Sequence, residues 1–432
     1  MARIVLVGAG SITFAKNLLS DLLTFPELSE SAIVLHDIDA ARLDTAAAMA
    51  KWMVAELGIG ATVEAYADRR AAVEGADYVI NEIAVGGLEA VKRDFEIPAA
   101  YGVRQTIADT LGIGGIFRAL RTIPVMVGIG NDLAELAPAA TLFTYTNPMS
   151  MIPWSVYAGT PFKNVVGVCH AARDTQKTLA RMVGVPEEEV SFLTAGVNHQ
   201  AFVLRFERNG ENLYDRLDEL IAADPELSRR VRVEVYRNFG YFPTESSEHG
   251  SEYLPWFLAH EEEVARYRIP VGVYLEWLAD GFEEYATYKR SLEEGRGVPI
   301  ERGEELASLA IHSMETGTRR MIHGNVRNGG LISNLPQEAT VEVPCHVDRA
   351  GVQPVCVGEL PAQVAALNRT FLNVSELTVK AALEGRRDHV YQAALLDPNT
   401  AATLPVRRIR ELVDDLIAAH GELLPEGIRN NV

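Results

Sequence analysis

Two soft metal donors stand at the ends of short apolar runs: Cys169 in "NVVGVCHAARD" and His199 in "TAGVNHQAF". A thiolate with an imidazole suits a divalent transition ion, and so few protein donors would leave coordination positions vacant for substrate oxygens. Zinc-finger spacing is absent, which excludes a closed structural site. A cysteine at a strand end is more often packing than ligation, so the pair is a site only if the fold brings both residues to one place. In a parallel sheet the carboxyl ends of the strands face the ligand crevice, which is where both would stand.

The N-terminal stretch "MARIVLVGAGSITF" gives that crevice a ligand. Gly8 and Gly10 match the first two glycines of G-x-G-x-x-G, with Thr13 in place of the third. Such a turn lets the backbone approach a pyrophosphate, which then sits on a helix N-terminus, and Ser11 can add a hydroxyl. Asp37, closing the next apolar run in "LHDID", is placed to take a ribose 2′-hydroxyl and to repel a 2′-phosphate, so NAD is favoured over NADP. The plainer alternative is a glycine turn with no ligand.

The elements that must position these residues alternate. "RIVLVGAG", "SAIVLHDID", "GADYVINEIAVGG", "ATLFTYTNP" and "NVVGVCH" read as strands, with helical patterns such as "AARLDTAAAMAKWMVAEL" between them. Strands alternating with helices imply a doubly wound parallel sheet, a Rossmann-type α/β fold of the lactate/malate dehydrogenase kind. After about residue 200 the pattern changes. Residues 210–330 read as mostly helical, "LISNLPQEATVEVPCHVDRAGVQPV" as antiparallel strands, and "VRRIRELVDDLIAAH" as an amphipathic tail helix. The division expected is a dinucleotide-binding domain over residues 1–195 and an α+β substrate, metal and oligomerisation domain over 196–432.

Composition narrows the class of partner. With 432 residues, 48% of them hydrophobic, the chain can bury a large core. Forty basic against 59 acidic residues, a net charge of −19, argue against nucleic acid or an anionic membrane. Three scattered cysteines make no disulfide framework and fit a reducing cytoplasm. The first apolar run is too short for a signal peptide, and no stretch reads as a bilayer span. A small-molecule substrate is the expectation.

Three further groups carry chemistry-bearing residues. In residues 104–124 the glycines 112, 114 and 115 precede a helical run, with amides that could meet ligand oxygens, and Asp109 and Arg121 flank them. Asn147 ends a strand-like run in "TYTNP". "YFPTESSEHGSEYLPWF" gathers Glu245, Glu248, His249, Glu252 and Tyr253. Glycine turns, an Asn-Pro turn and a solvated acidic face would each be ordinary taken singly.

Together "GAGS", "QTIADTLGIGGIFRALRTIP", "TYTNPM", "GVCH", "GVNH" and "TESSEHGSEY" resemble glycoside hydrolase family 4, the NAD- and manganese-dependent glycosidases, over nearly the whole chain. The resemblance implies a redox-assisted elimination, outside the usual two-carboxylate scheme. NAD takes hydride from C3 of the sugar, a base removes the C2 proton, the glycosidic oxygen leaves, water adds and the hydride returns. It implies that Cys169 and His199 hold Mn2+ or another divalent ion, and that Asp109 and Asn147 touch substrate near it, with Asn198 adjoining His199. It sets His249 near the position of a catalytic tyrosine in phospho-glucosidase members, with Tyr253 four residues on; the ordinary pKa of imidazole favours His249 as base.

His170, after the cysteine, is similar to members acting on unphosphorylated α-galactosides, α-glucosides or α-uronides. "TESSEH" is nearest the α-galactosidase branch, but Ala171 departs from that branch's serine. Arg121 and Arg173 are cations that keep an α-uronide open. The resemblance also implies a homodimer or homotetramer, with the helical tail as candidate interface. Two other readings stand beside it: a malate/lactate-type dehydrogenase, in which Cys169 and His199 have no role, and an NAD-binding protein without catalysis.

Overall fold

The computed structural model describes residues 1–430. In chain order its strands are β1 (Arg3–Val7), β2 (Ala32–His36), β3 (Thr62–Tyr66), β4 (Tyr78–Asn81), β5 (Thr141–Thr144), β6 (Val165–Val168), β7 (Ser191–Val197), β8 (Gln200–Arg208), β9 (Glu211–Asn212), β10 (Phe242–Pro243), β11 (Arg320–Arg327), β12 (Thr340–Asp348) and β13 (Gly351–Pro354). All belong to one sheet, in the order β10-β8-β7-β12-β11-β6-β5-β4-β1-β2-β3, with β13 on β12 and β9 on β8.

From β3 to β6 every pairing is parallel. The order β3-β2-β1-β4-β5-β6 is that of a dinucleotide-binding sheet, whose crevice opens where the winding reverses, between β1 and β4. Helices cover both faces, so β4, β5 and β6 are buried at every position and read as continuous apolar runs. The helix α1 (Ile12–Leu23) leaves the first turn. The helix α2 (Ala40–Leu57) begins where the Asp39 carboxylate accepts from the amides of Ala41 and Arg42, and ends at Gly58, left-handed at φ 62°.

From β6 onward the sheet is antiparallel. β11 pairs with β6 through Gly324↔Val168 and with β12 along its whole length, so strands from the second half continue the first half's sheet without a break. The helical reading of residues 210–330 fails at β11, which is buried from Ile322 to Val326. A short run buried on both faces has no period that separates strand from helix.

Helix Gly112–Leu136 also departs from expectation, being long and apolar enough to cross a membrane, although 72% of its most apolar window is buried within the chain. It is the central helix of the core. On its inward face Arg121, 2% exposed, forms a two-pronged pair with Asp94 at 2.6 and 3.1 Å, and His420 Nε2 lies 3.0 Å from the same carboxylate. Arg121 is therefore a structural cation, not one open to substrate. Arg173, at the surface, pairs with Glu304 at 2.7 Å.

Removing Asp94 would leave the guanidinium buried and unpaired. Asp94→Ala is expected to destabilise the fold by about 3–5 kcal/mol, read from the urea midpoint, while Asp94→Leu combined with Arg121→Met recovers most of the loss. A single-variant midpoint shifted no more than for an exposed ion pair would overturn this role.

Candidate functional site

The glycine turn closes against the ends of β2 and β4. Gly8, at φ 94°, and Ala9 both donate to the His36 carbonyl, and a Cβ on Gly8 would lie 3.0 Å from the backbone of Glu82. Gly10 N donates to Asp37 Oδ2 at 2.8 Å, and a Cβ there would stand 2.6 Å from that oxygen, so only glycine fits. Ser11 precedes α1 with its hydroxyl exposed and making no capping bond. The other oxygen of Asp37 accepts from Asp39 N at 2.8 Å, just before α2. At the end of β4, both carboxylate oxygens of Glu82 are buried without a partner, and burial, then Asp37 and Glu305, push that carboxyl well up. Tight backbone, a helix N-terminus and unmatched polar atoms together fit a dinucleotide.

Cys169 follows the last residue of β6. His199 reaches it from the hairpin between β7 and β8: Val197 pairs with Gln200, which leaves Asn198 and His199 as the whole turn. As the third residue of that turn His199 takes a φ of 65°, the left-handed conformation a type II turn requires there. Its imidazole Nε2 is thereby set 3.3 Å from Cys169 Sγ and 3.3 Å from Glu245 Oε2. One donor atom from each of the three residues lies within 4.8 Å of the others. Glu245, at φ 73°, is the middle one of the three residues between β10 and helix Ser247–Glu252. Left-handed non-glycine backbone costs of order 1–3 kcal/mol per residue and gathers at functional sites. Of the five such residues among the described residues, His199 and Glu245 belong to this cluster and Ala108 borders it.

The proton arrangement suits a cation. Thr110 Oγ1 donates to Asp109 Oδ1 at 2.7 Å, so with its one hydrogen used it must accept from His199 Nδ1–H at 2.9 Å. Nε2 then carries the lone pair towards Cys169 and Glu245, the tautomer a ligating histidine needs. Burial, then His249, holds the His199 pKa down to about 4 against the pull of Glu245 and Asp109, which keeps the ring neutral. Burial, with Glu245 and Glu342, pushes the Cys169 thiol well up. Burial also pushes the Glu245 carboxyl up, but His199, His249, the Ser246 amide and Arg232 outweigh it and hold it below the usual range. A thiol, a neutral imidazole and a carboxylate so placed can hold a divalent ion.

Beside this cluster lies a second one. Asn147 Nδ2 donates to Asp109 Oδ2 at 2.8 Å, Tyr253 Oη is 2.7 Å from His249 Nδ1, and that nitrogen is 3.9 Å from Asp109 Oδ1. The His199 and His249 rings are 4.5 Å apart between centroids. Burial pushes the Asp109 carboxyl up, yet His249, Arg118 and His199 together leave it below its ordinary value. The structure thus gathers Cys169, His199, Asp109, Asn147, His249 and Tyr253. Asn198 instead points behind Cys169, donating to the buried Glu342 at 3.0 Å. His170 stands apart, 3.2 Å from Glu305 and stacked on Tyr145 at the ends of β5 and β6.

The glycines of residues 112–115 do a different job from the one expected. Gly114 N is taken by Gln105 Oε1 at 2.9 Å, and Cβ atoms on Gly114 and Gly115 would meet Ala108 at 2.7 Å and the Thr110 backbone at 2.8 Å. They let loop 105–110 lie on the helix. Sequence reasoning missed the donor position of Glu245, the proton-setting role of Thr110, and Arg118, whose Nε donates to the Asn147 carbonyl at 3.2 Å. Arg118 is one helical turn from Arg121, so sequence spacing alone did not separate the buried arginine from the one at the site.

Family models for family 4 glycosyl hydrolase and for its C-terminal domain match residues 3–185 and 194–400. An alpha-galactosidase of Bacillus subtilis is 40% identical over 99% of this chain and 100% of its own length. An alpha-galactosidase of Rhizobium meliloti is 35% identical over 98% of this chain and 89% of its own. Among solved structures, a 6-phospho-alpha-glucosidase from gut microorganisms in complex with NAD and Mn2+ superposes with a TM-score of 0.83 at 20% identity, covering 98% of this chain and 99% of that one. Matched along nearly its whole length by sequence and by fold, the chain belongs to family 4 of the glycosyl hydrolases.

Proposed function

We propose that this family 4 hydrolase cleaves an unphosphorylated α-glycoside, an α-galactoside first, using NAD and Mn2+ or a similar divalent ion. The observation that carries the reading is the Cys169–His199–Glu245 donor set beside a dinucleotide crevice. The alpha-galactosidase relatives and the NAD- and Mn2+-bound structural relative support it. In this reading residues 1–195 bind the dinucleotide through Gly8, Gly10, Ser11 and Asp37, and residues 196–432 complete the metal and substrate side. Free cysteines suit a reducing cytoplasm, and the exposed Trp256 and Trp277 suit a homodimer or homotetramer.

When bound, NAD supplies reversible hydride exchange at the sugar C3, and the divalent ion supplies Lewis acidity at the neighbouring oxygens. The chain's own residues do the rest. Cys169, His199 and Glu245 hold the ion, with Asn198 supporting the ligand pair from behind. Asp109, buried yet ionised, and Asn147 orient the sugar hydroxyls. With Nδ1–H directed at Tyr253 Oη, His249 presents Nε2 to take the C2 proton, and Asp109 stabilises the imidazolium formed. His170, held by Glu305 and Tyr145, stays outside the donor cluster, and its bearing on an unphosphorylated sugar rests on the family resemblance alone. Arg118 favours a second reading, an α-uronide whose carboxylate it would meet; an α-glucoside is the remaining alternative within the family.

Metal affinity tests the donor set directly. Cys169→Ser and Glu245→Gln are each expected to weaken Mn2+ binding, followed by electron paramagnetic resonance, by at least about tenfold. Because the thiol pKa is raised, binding must expel its proton, so affinity rises about tenfold per pH unit between about pH 6.5 and 8. A flat pH profile, or unchanged affinity in both variants, would remove them as ligands.

Activity tests the reaction. With NAD, Mn2+ and reductant, p-nitrophenyl α-galactoside should release its aglycone without NADH accumulating, and EDTA or Cys169→Ser should abolish release. Preference for the α-glucuronide or α-galacturonide would select the second reading. Steady NADH production from a hydroxy acid would mean a dehydrogenase instead.

A further inference from the structure

Glu252 has no place in the chemistry above, yet it is 1% exposed and stands next to Tyr253. Its Oε1 accepts from three consecutive amides, Thr106 N at 2.6 Å, Ile107 N at 3.0 Å and Ala108 N at 3.0 Å, and its Oε2 accepts from Ala108 N at 3.2 Å. Successive amides converge on one point only where the backbone curls into a concave nest, and a nest binds an anion. Here the anion is a side chain of this chain. The curl ends at Ala108, left-handed at φ 57°, and the next residue is Asp109.

We infer that Glu252 is a positioning residue for the proposed reaction: its carboxylate locks loop 105–110 in the curl that aims Asp109 and Thr110 at His199 and His249. The claim rests on the functional reading above. Enclosed by three amides, Glu252 has no free edge for substrate, so it acts through the groups it holds. The same carboxylate links the two halves of the site, since it extends from the helix Ser247–Glu252 that bears His249. A second tie, Thr106 Oγ1 to the Glu248 carbonyl at 2.8 Å, joins the same helix and loop. From below, the glycine-rich start of helix Gly112–Leu136 leaves the loop no room to shift, with Gly114 N held by Gln105. A buried carboxylate without these donors would be costly, and charge-assisted hydrogen bonds are the strong ones, so loop and carboxylate each need the other.

Two variants of the full chain, loaded with NAD and Mn2+, test this. Glu252→Gln keeps a carbonyl oxygen able to accept from the three amides; Glu252→Ala keeps none. Glu252→Ala should lower kcat by about 100-fold, the cost of misplacing catalytic groups by about an ångström, and weaken Mn2+ binding by about tenfold through the displaced Thr110, with NAD affinity little changed. Glu252→Gln should restore most of kcat. In hydrogen–deuterium exchange the segment 105–110 should be protected in the wild type and in Glu252→Gln, and exposed in Glu252→Ala. Equal kcat loss in both variants, unchanged kcat in Glu252→Ala, or no wild-type protection at 105–110 would overturn the inference. If the wild type cleaves none of the glycosides, the functional reading fails while the exchange measurement still decides whether Glu252 holds the loop.

Discussion

A thiol, an imidazole and a carboxylate meet within 4.8 Å, His199 buried and Cys169 and Glu245 partly open, and the rest of the structure is arranged so that they can. Each side chain comes from a different joint in one sheet. Cys169 is the first residue beyond the parallel strand β6. His199 is at the tip of the β7–β8 hairpin, which reaches it across two intervening strands. Glu245 sits in the link from β10 to a short helix. Had β11 and β12 not inserted between β6 and β7, the hairpin tip would lie against a different neighbour. The continuity of the sheet is thus what fixes the distance between the donors, and rigid strands set such distances better than loops do.

The strain around the cluster follows from that geometry. His199 takes the left-handed conformation in a turn made only of Asn198 and His199, and the pairing on both sides holds it there. Ala108 and Glu245 are constrained in the same way, one by the Glu252 carboxylate and one by the strand-to-helix corner. The polar network then distributes protons so that each group has one role. Thr110 gives its hydrogen to Asp109 and takes one from His199, so Nε2, which faces Cys169 and Glu245, is left without a proton. Asp109 remains anionic because His249, Arg118 and His199 offset its burial. Perturbed ionisation of this kind, concentrated in a crevice, is what distinguishes a reactive site from a packed polar core.

The dinucleotide half of the fold was legible in the sequence because its strands are short, wholly buried and bounded by glycines, and because Gly8, Gly10 and Asp37 lie at fixed points along them. Cys169 and His199 were legible for the same reason, as strand ends. Other features were hidden by specific physics. β11 is buried on both faces and so lacks the alternation that marks a strand. Glu245 is one acid among several in its segment, and only its left-handed backbone separates it from Glu248, which makes no such approach. Arg121 was read as an available cation, whereas helical phase turns it inward to Asp94 and leaves Arg118 on the site. Asn198, adjoining His199, donates its side-chain amide to the buried Glu342, a contact that the sequence does not display.

In the proposed reaction a base in the His249–Tyr253 pair removes the sugar's C2 proton, as a direct displacement at C1 never would. Cleavage of an α-galactoside in D2O, with NAD and Mn2+ present, reports this at a single atom of the released sugar. Deuterium at C2 of the product is the expected result, because a proton lost there is replaced from solvent. Product that retains only protium at C2 would contradict the elimination route and the role given to His249.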